Sequence, residues 1–204
     1  MSRKVLIVDY GMGNLHSLIS TLDFLGQETT LSDQKEDLLN STHIILPGVG
    51  SYDAATNRID KLGLRDIIIE LVKNKRIPIL GICLGMQLLF DESEEFGKYG
   101  GLGLISGKVI RLNDSDPSGG RVKVPHIGWS EVYLAHPEAA TQSPILEGVG
   151  DGDAMYFVHS YYVETSDQKI ISTKTKYGRK EFCSSVSYKN IFACQFHPER
   201  SGTT

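Results

Sequence analysis

Short apolar runs alternate with amphipathic stretches through the first half of the chain. Residues 4–9, KVLIVD, are apolar up to the glycine-rich YGMGN, and helical spacing follows near residues 14–26. A run of this length before a turn and a periodic segment reads as buried strand, turn and helix. Residues 43–46, HIIL, repeat the pattern and stop at PGVG. A helix is expected around 60–75, where LGLRDIIIELVKNK carries apolar residues at helical spacing. Residues 77–82, IPILGI, predict a third strand, followed by a helix over LGMQLLF. Strands alternating with helices predict βαβ units and a mostly parallel sheet.

The second half has another rhythm. GKVIRL, SEVYL, AMYFVHSYYVE, KIISTKT, FCSSVSYKN and IFACQFHP read as strands with few long helical patterns between them. They predict antiparallel strands added to, or packed beside, the parallel sheet. NDSDPSGG at 113–120 predicts a polar surface loop. No internal repeat interrupts the pattern. The expected fold is α/β, a mostly parallel central sheet flanked by helices with additional antiparallel strands, in a single domain over residues 1–204.

Composition narrows the function classes. The chain has 204 residues, 21 Lys and Arg against 25 Asp and Glu, and a net charge of −4. With no long basic cluster, neither nucleic acid nor an anionic membrane is an expected partner. No segment reaches the ~18 apolar residues of a membrane span. The apolar run in MSRKVLIVDYGMGN is too short for a signal peptide. Cys83, Cys183 and Cys194 cannot all pair with one another, and they show no CxxC or Cys/His zinc spacing. A reducing cytoplasm is expected, with no metal and no cofactor. YGMGN lacks the third glycine of a dinucleotide-binding turn, with His16 where it would fall, so nucleotide binding is disfavoured.

Cys83 raises the chemical question. Taken alone, a cysteine near an apolar run is more often packing than chemistry. Here it stands in GICLG, a G-x-C-x-G pattern between a strand and a helix, and the matching serine pattern marks a nucleophile elbow. A tight turn projects the side chain above the strand ends. Gly81 and Gly85 permit close backbone approach. The positive end of the following helix favours a thiolate, and the Leu84 N–H is placed to donate to an oxyanion. A cysteine nucleophile needs a base, and QFHPE supplies His197, with Glu199 two residues on to orient the imidazole. The bland readings are a loop histidine and a solvated carboxylate. Elbow, alternating start and C-terminal histidine together favour catalysis.

PGVG, GICLGMQLLF and QFHPERSG, in that order, resemble the class I (triad) glutamine amidotransferases. DYGMGN, PHIGW at 125–129 and YFVHSYY at 156–162 bring the likeness closer to the glutaminase subunits of imidazole glycerol phosphate synthase. It extends over nearly the whole chain. The resemblance implies Cys83 as nucleophile, His197 as base and Glu199 as its orienting acid. It implies Gly48, Val49 and Gly50 as the loop completing an oxyanion hole with Leu84. Gln87, His159, Ser160 and Tyr161 match positions that hold L-glutamine, although packing explains much of YFVHSYY. The implied reaction is hydrolysis of glutamine to glutamate and ammonia through a cysteinyl thioester. The implied partner is a (β/α)₈ cyclase subunit, docked in a heterodimer near Asn14, Trp129, Tyr156 and Arg200. Core packing is an equal reading for Trp129, the only tryptophan.

Three features depart from the family pattern. Arg200 stands where lysine is usual, Ser130 where asparagine is usual, and the chain stops at SGTT where a short C-terminal helix is expected to follow. They keep three rivals open: an ammonia supplier for another synthase, such as one amidating a surface-polysaccharide sugar; a stand-alone γ-glutamyl cysteine hydrolase; and a catalytically silent binding subunit.

Overall fold

The computed structural model describes residues 3–113 and 122–202; the polar loop expected at 113–120 lies almost wholly outside them. Elements run β1 (Val5–Val8), α1 (Leu15–Phe24), β2 (Thr29–Ser32), α2 (Lys35–Leu39), β3 (His43–Leu46), α3 (Tyr52–Lys61), α4 (Arg65–Lys73), β4 (Ile79–Ile82), α5 (Leu84–Leu88), β5 (Phe90–Ser93), β6 (Tyr99–Gly100) and β7 (Ile105–Arg111). They continue through β8 (His126–Leu134), α6 (Ala139–Gln142), β9 (Asp153–His159), β10 (Tyr161–Glu164), β11 (Ile171–Tyr177), β12 (Lys180–Tyr188) and β13 (Ile191–Cys194).

The main sheet has nine strands in the order β2-β1-β3-β4-β13-β12-β11-β8-β9. From β2 to β13 all pairs are parallel, and from β13 to β9 all are antiparallel. A second sheet, β10-β7-β5-β6, packs beside it. The α/β architecture with antiparallel additions agrees with the sequence pattern. In β1, Leu6 and Val8 enter one buried cluster with α2, α3 and α4, while Val5 and Ile7 enter another with Leu18 of α1. Strands buried on both faces read as unbroken apolar runs, which is why β1, β3 and β4 were visible in the sequence.

Local differences have local causes. The helix expected around 60–75 is two helices, broken where Gly63 adopts φ +64°. α3 buries Tyr52, Ala55, Thr56 and Ile59, and α4 buries Ile68, Leu71 and Val72. The helix expected over LGMQLLF ends at Leu88, and Phe90 already begins β5. The strand AMYFVHSYYVE breaks at Ser160, so β9 and β10 belong to different sheets.

Candidate functional site

Two adjacent strand ends build the site. Cys83 follows β4 in a turn so tight that its backbone sits at φ 54°, ψ −109°. A non-glycine residue there is strained by about 1–3 kcal/mol, a cost that persists where a side chain is required. Gly85 admits the turn: a Cβ on it would lie 1.8 Å from the Leu46 carbonyl oxygen. A Cβ on Gly81 would lie 2.9 Å from the Gly85 carbonyl oxygen.

β13 runs parallel to β4 with Cys194 opposite Ile82, and the Cys83 N–H donates to the Cys194 carbonyl at 2.8 Å. The chain beyond β13 therefore emerges beside the elbow. The 3₁₀ turn Pro198–Arg200 folds Glu199 back, and its Oε1 lies 2.9 Å from His197 Nδ1. A carboxylate only accepts, so Nδ1 carries the proton and Nε2 is the edge left to face another group. Nε2 makes no hydrogen bond of normal geometry among the described residues. Burial alone would lower the pKa of His197. The neighbouring Cys83 and the Glu199 carboxylate outweigh it and push the imidazole up to about 10.

The PGVG segment closes over the elbow. The Tyr10 hydroxyl donates to the Pro47 carbonyl at 2.6 Å, and burial keeps that phenol protonated by raising its pKa. A Cβ on Gly48 would meet the Tyr10 hydroxyl at 2.5 Å and Leu84 Cβ at 2.8 Å. Gly50 sits at φ +108°, against Met12. YGMGN thus braces the loop, a role that its resemblance to a dinucleotide turn obscures.

A cavity of about 280 Å³ opens on Cys83. Of the residues matched to glutamine and oxyanion positions, Val49, Gly50, Leu84, Gln87, His159, Ser160 and Tyr161 line it. Gly48 lies in an adjoining recess with His197, Glu199 and Asn14. Gln87 Nε2 donates to the Tyr161 carbonyl and to Gln195 Oε1, each at 3.0 Å, so its own oxygen is the end left for a ligand. A cavity of about 400 Å³ at the opposite end of β4 and β13 is lined by Lys73, Arg76 and Asn190 among others, with no cysteine in its wall.

Two lining or supporting residues escaped sequence reasoning. Glu95, in the loop after β5, brings a carboxylate to the cavity. Its Oε2 accepts the Tyr52 N–H at 2.6 Å, and burial raises its pKa above the usual carboxylate range. Nothing local marks it. Gln195 donates from Nε2 to Cys83 Sγ at 3.5 Å. Its spacing of two from His197 on an extended chain was the available signal.

His159 is held at Nδ1 by the Tyr161 carbonyl, at 2.8 Å, and at Nε2 by His126, at 3.0 Å. Burial, then the neighbouring His126, pushes its pKa down to about 3. Trp129 is 54% exposed, which overturns core packing as its reading. It meets Tyr156 edge to face at 6.1 Å, and the Arg200 guanidinium lies 4.6 Å over the Tyr156 ring. Phe157 and Tyr162 of the same aromatic segment are buried.

A family model described as glutamine amidotransferase class-I matches residues 6–204. The chain belongs to the class I glutamine amidotransferases. Imidazole glycerol phosphate synthase subunit HisH of Geobacillus sp. (strain WCH70) is 46% identical to this amidotransferase over 196 residues, 96% of this chain and 89% of that protein. The HisH subunit of Syntrophotalea carbinolica is 40% identical over 97% of this chain and 93% of its own. Among solved structures, one titled glutamine amidotransferase superposes with TM-score 0.72 at 18% identity, covering 96% of this chain and 90% of that one. PurLQS from Thermotoga maritima gives 0.68 at 20%, covering 98% and 89%. At such identities the structures share the fold.

Among the described residues of this amidotransferase, no cluster of three His, Cys, Asp or Glu side chains is arranged to hold a metal ion. No helix of those residues is long and apolar enough to cross a membrane. Cys183 and Cys194 are buried, and burial raises both thiols, Cys183 to about 12. Of the three cysteines, Cys83 alone lines the cavity.

Proposed function

We propose that this chain is the glutaminase subunit of imidazole glycerol phosphate synthase, acting in the cytoplasm as one amidotransferase domain. It hydrolyses L-glutamine and passes ammonia to a (β/α)₈ cyclase subunit that makes imidazole glycerol phosphate and AICAR ribotide in histidine biosynthesis. The buried His197–Glu199 pair beside the elbow cysteine is the observation that carries the chemistry. The extended identity to HisH subunits supports the pathway.

In this reading the Cys83 thiolate attacks the carboxamide carbon of glutamine. The Leu84 N–H and the 48–50 backbone receive the oxyanion, each donor in such a hole being worth about 10²–10³ in rate. Imidazolium at His197, favoured by its raised pKa, protonates the departing nitrogen. Neutral His197 then takes a proton from water, which hydrolyses the glutamyl thioester to glutamate. Glu199 holds the tautomer and the charge. The carboxylate of Glu95 and the free oxygen of Gln87 are acceptors suited to the α-ammonium of glutamine. The exposed Trp129–Tyr156–Arg200 cluster is the docking face, and Asn14 lies in the recess beside the triad. Because Pro47–Gly50 is braced by Tyr10 and Leu84, docking that reorients one peptide there switches the oxyanion hole.

The test is glutamate release from the isolated chain, then with the histidine-pathway cyclase, then with cyclase and its nucleotide ligand. Strong stepwise activation is expected. Full turnover by the isolated chain would favour a stand-alone hydrolase. Activation by another synthase alone would move the subunit to another pathway.

A further inference from the structure

The Cys83 sulfur has a neighbour that the triad does not include. Gln195 is fully buried, and its side-chain amide spans 3.5 Å to Cys83 Sγ on one side and 3.0 Å to Gln87 on the other. An amide can be turned either way, so its orientation must be argued from what surrounds it. Here one fixed group decides it. The Tyr161 carbonyl is an acceptor only, and Gln87 faces it at 3.0 Å, so Gln87 must present its NH₂ there. The second hydrogen of that NH₂ points at Gln195 and requires an acceptor, which is Oε1. The NH₂ of Gln195 is then left facing sulfur.

Resting on the reading of Cys83 as nucleophile, we propose that Gln195 keeps a fixed N–H donor on its sulfur, with Gln87 and the Tyr161 carbonyl locking that donor's orientation. Two moments of the reaction use it. Before attack, the donor stabilises the negative sulfur without a proton to remove. During thioester hydrolysis, the C–S bond breaks with its electron pair going to sulfur, and the same N–H receives the charge as it returns. The donor never leaves, because its other end is tied into a buried network whose loss would leave Gln87 unsatisfied. The lock also passes through Tyr161, one of the residues lining the glutamine cavity, so the pocket wall and the sulfur share one hydrogen-bonded frame.

Gln195→Leu keeps the volume and removes the donor; Gln195→Glu keeps the acceptor toward Gln87 and turns a carboxylate oxygen toward sulfur. The probe is iodoacetamide on the isolated chain without glutamine, followed by mass spectrometry of the Cys83 peptide. Hydrogen bonds to charged groups predict alkylation about 10–100-fold slower at neutral pH in Gln195→Leu. Gln195→Glu should be slower still. With the activating partner, kcat of Gln195→Glu, which keeps the acceptor for Gln87, should fall while KM for glutamine stays put, a split that loosened packing of the pocket would not give. Wild-type alkylation by either folded variant overturns the proposal. Should neither variant fold, the wild-type chain decides: Cys83→Ala should shift one glutamine side-chain amide pair in its nitrogen–proton spectrum, and no shift overturns it. Glutamine turnover missing from the wild type would remove the amidotransferase reading and leave the alkylation result standing.

Discussion

The elbow end of the sheet and the β8–β9 end are built on opposite terms. At the elbow, backbone meets backbone: the Leu46 carbonyl lies where a Cβ of Gly85 would be, and Cys83 is held at positive φ. Along β8 and β9, side chains are left standing. Ile127, Trp129 and Tyr133 are exposed at alternate positions, and a Cβ on Gly128 would meet nothing. Both ends depend on β13, which pairs with β4 at its parallel edge and leads into the turn carrying Arg200 at the other. The turn proposed to carry the chemistry is closed by backbone packing, and the face proposed for recognition keeps apolar area uncovered.

The widest gap between the two ends should appear on substituting the elbow. Cys83→Ala removes the proposed nucleophile and should lower partner-activated turnover by roughly 10⁵–10⁶, as for other nucleophile deletions. Cys83→Gly should be equally inactive yet more stable than Cys83→Ala by about 1 kcal/mol, because glycine relieves the positive φ. Thermal melts of the two dead variants measure this, and identical melting temperatures would deny the strain. Gly85→Ala forces the elbow off Leu46 and should cost about 3 kcal/mol. A Gly85→Ala variant melting with the wild type would mean that the turn is looser than its distances.

The open end should fail differently. Trp129→Ala removes a half-exposed ring that meets Tyr156 edge to face, so the melting temperature of the isolated chain should hardly change. Buried on docking, the same ring is expected to contribute about 2 kcal/mol to partner affinity. Titration of cyclase against glutamate release would show roughly 30-fold weaker apparent binding. Unchanged activation would place the docking face elsewhere.

What the sequence made legible follows the same division. The elbow is written in five consecutive residues, GICLG, because the turn is local and sterically demanding. His197 and Glu199 are legible as a pair because the single proline between them fixes their spacing. β2 was not, since Thr29–Ser32 is an edge strand with one buried residue and no apolar run. The break at Gly63 hid inside a continuous helical rhythm. Glu95 reaches the cavity from a loop whose sequence reads as a solvated acidic stretch. Gln195 shows locally only in its spacing of two from His197; its hydrogen bond reaches a residue 112 positions away, a partner that spacing does not name.

The smallest expected effect lies between the two ends, in the buried histidines that connect them. Ser130 donates to His126 Nε2 at 2.9 Å, His126 Nδ1 to His159 Nε2 at 3.0 Å, and His159 Nδ1 to the Tyr161 carbonyl at 2.8 Å. Burial keeps both rings neutral, and with neutral rings the final acceptor forces this direction throughout. Burial holds His126 at about 4; burial and then His126 hold His159 at about 3, whereas an unfolded histidine titrates near 6.5. As pH falls from 6.5 toward 4, the unfolded chain takes up protons that the folded chain refuses. The contribution of these two histidines is therefore full above pH 6.5 and is lost with acid, by about 1.4 kcal/mol per pH unit for each. His126→Gln keeps a donor toward His159 and an acceptor toward Ser130 but removes one titrating group. Its stability at neutral pH should be lower than wild type, and the gap should narrow by about 1.4 kcal/mol for each unit of acidification. Urea denaturation of both proteins at pH 6.5, 5.5 and 4.5 (roughly the window set by those pKa values) reads the difference directly, with the common carboxylates cancelling. Parallel stability curves would mean that His126 is charged or solvated in the folded chain, and the ordered path from the open end to the cavity at Cys83 would be broken at its second link.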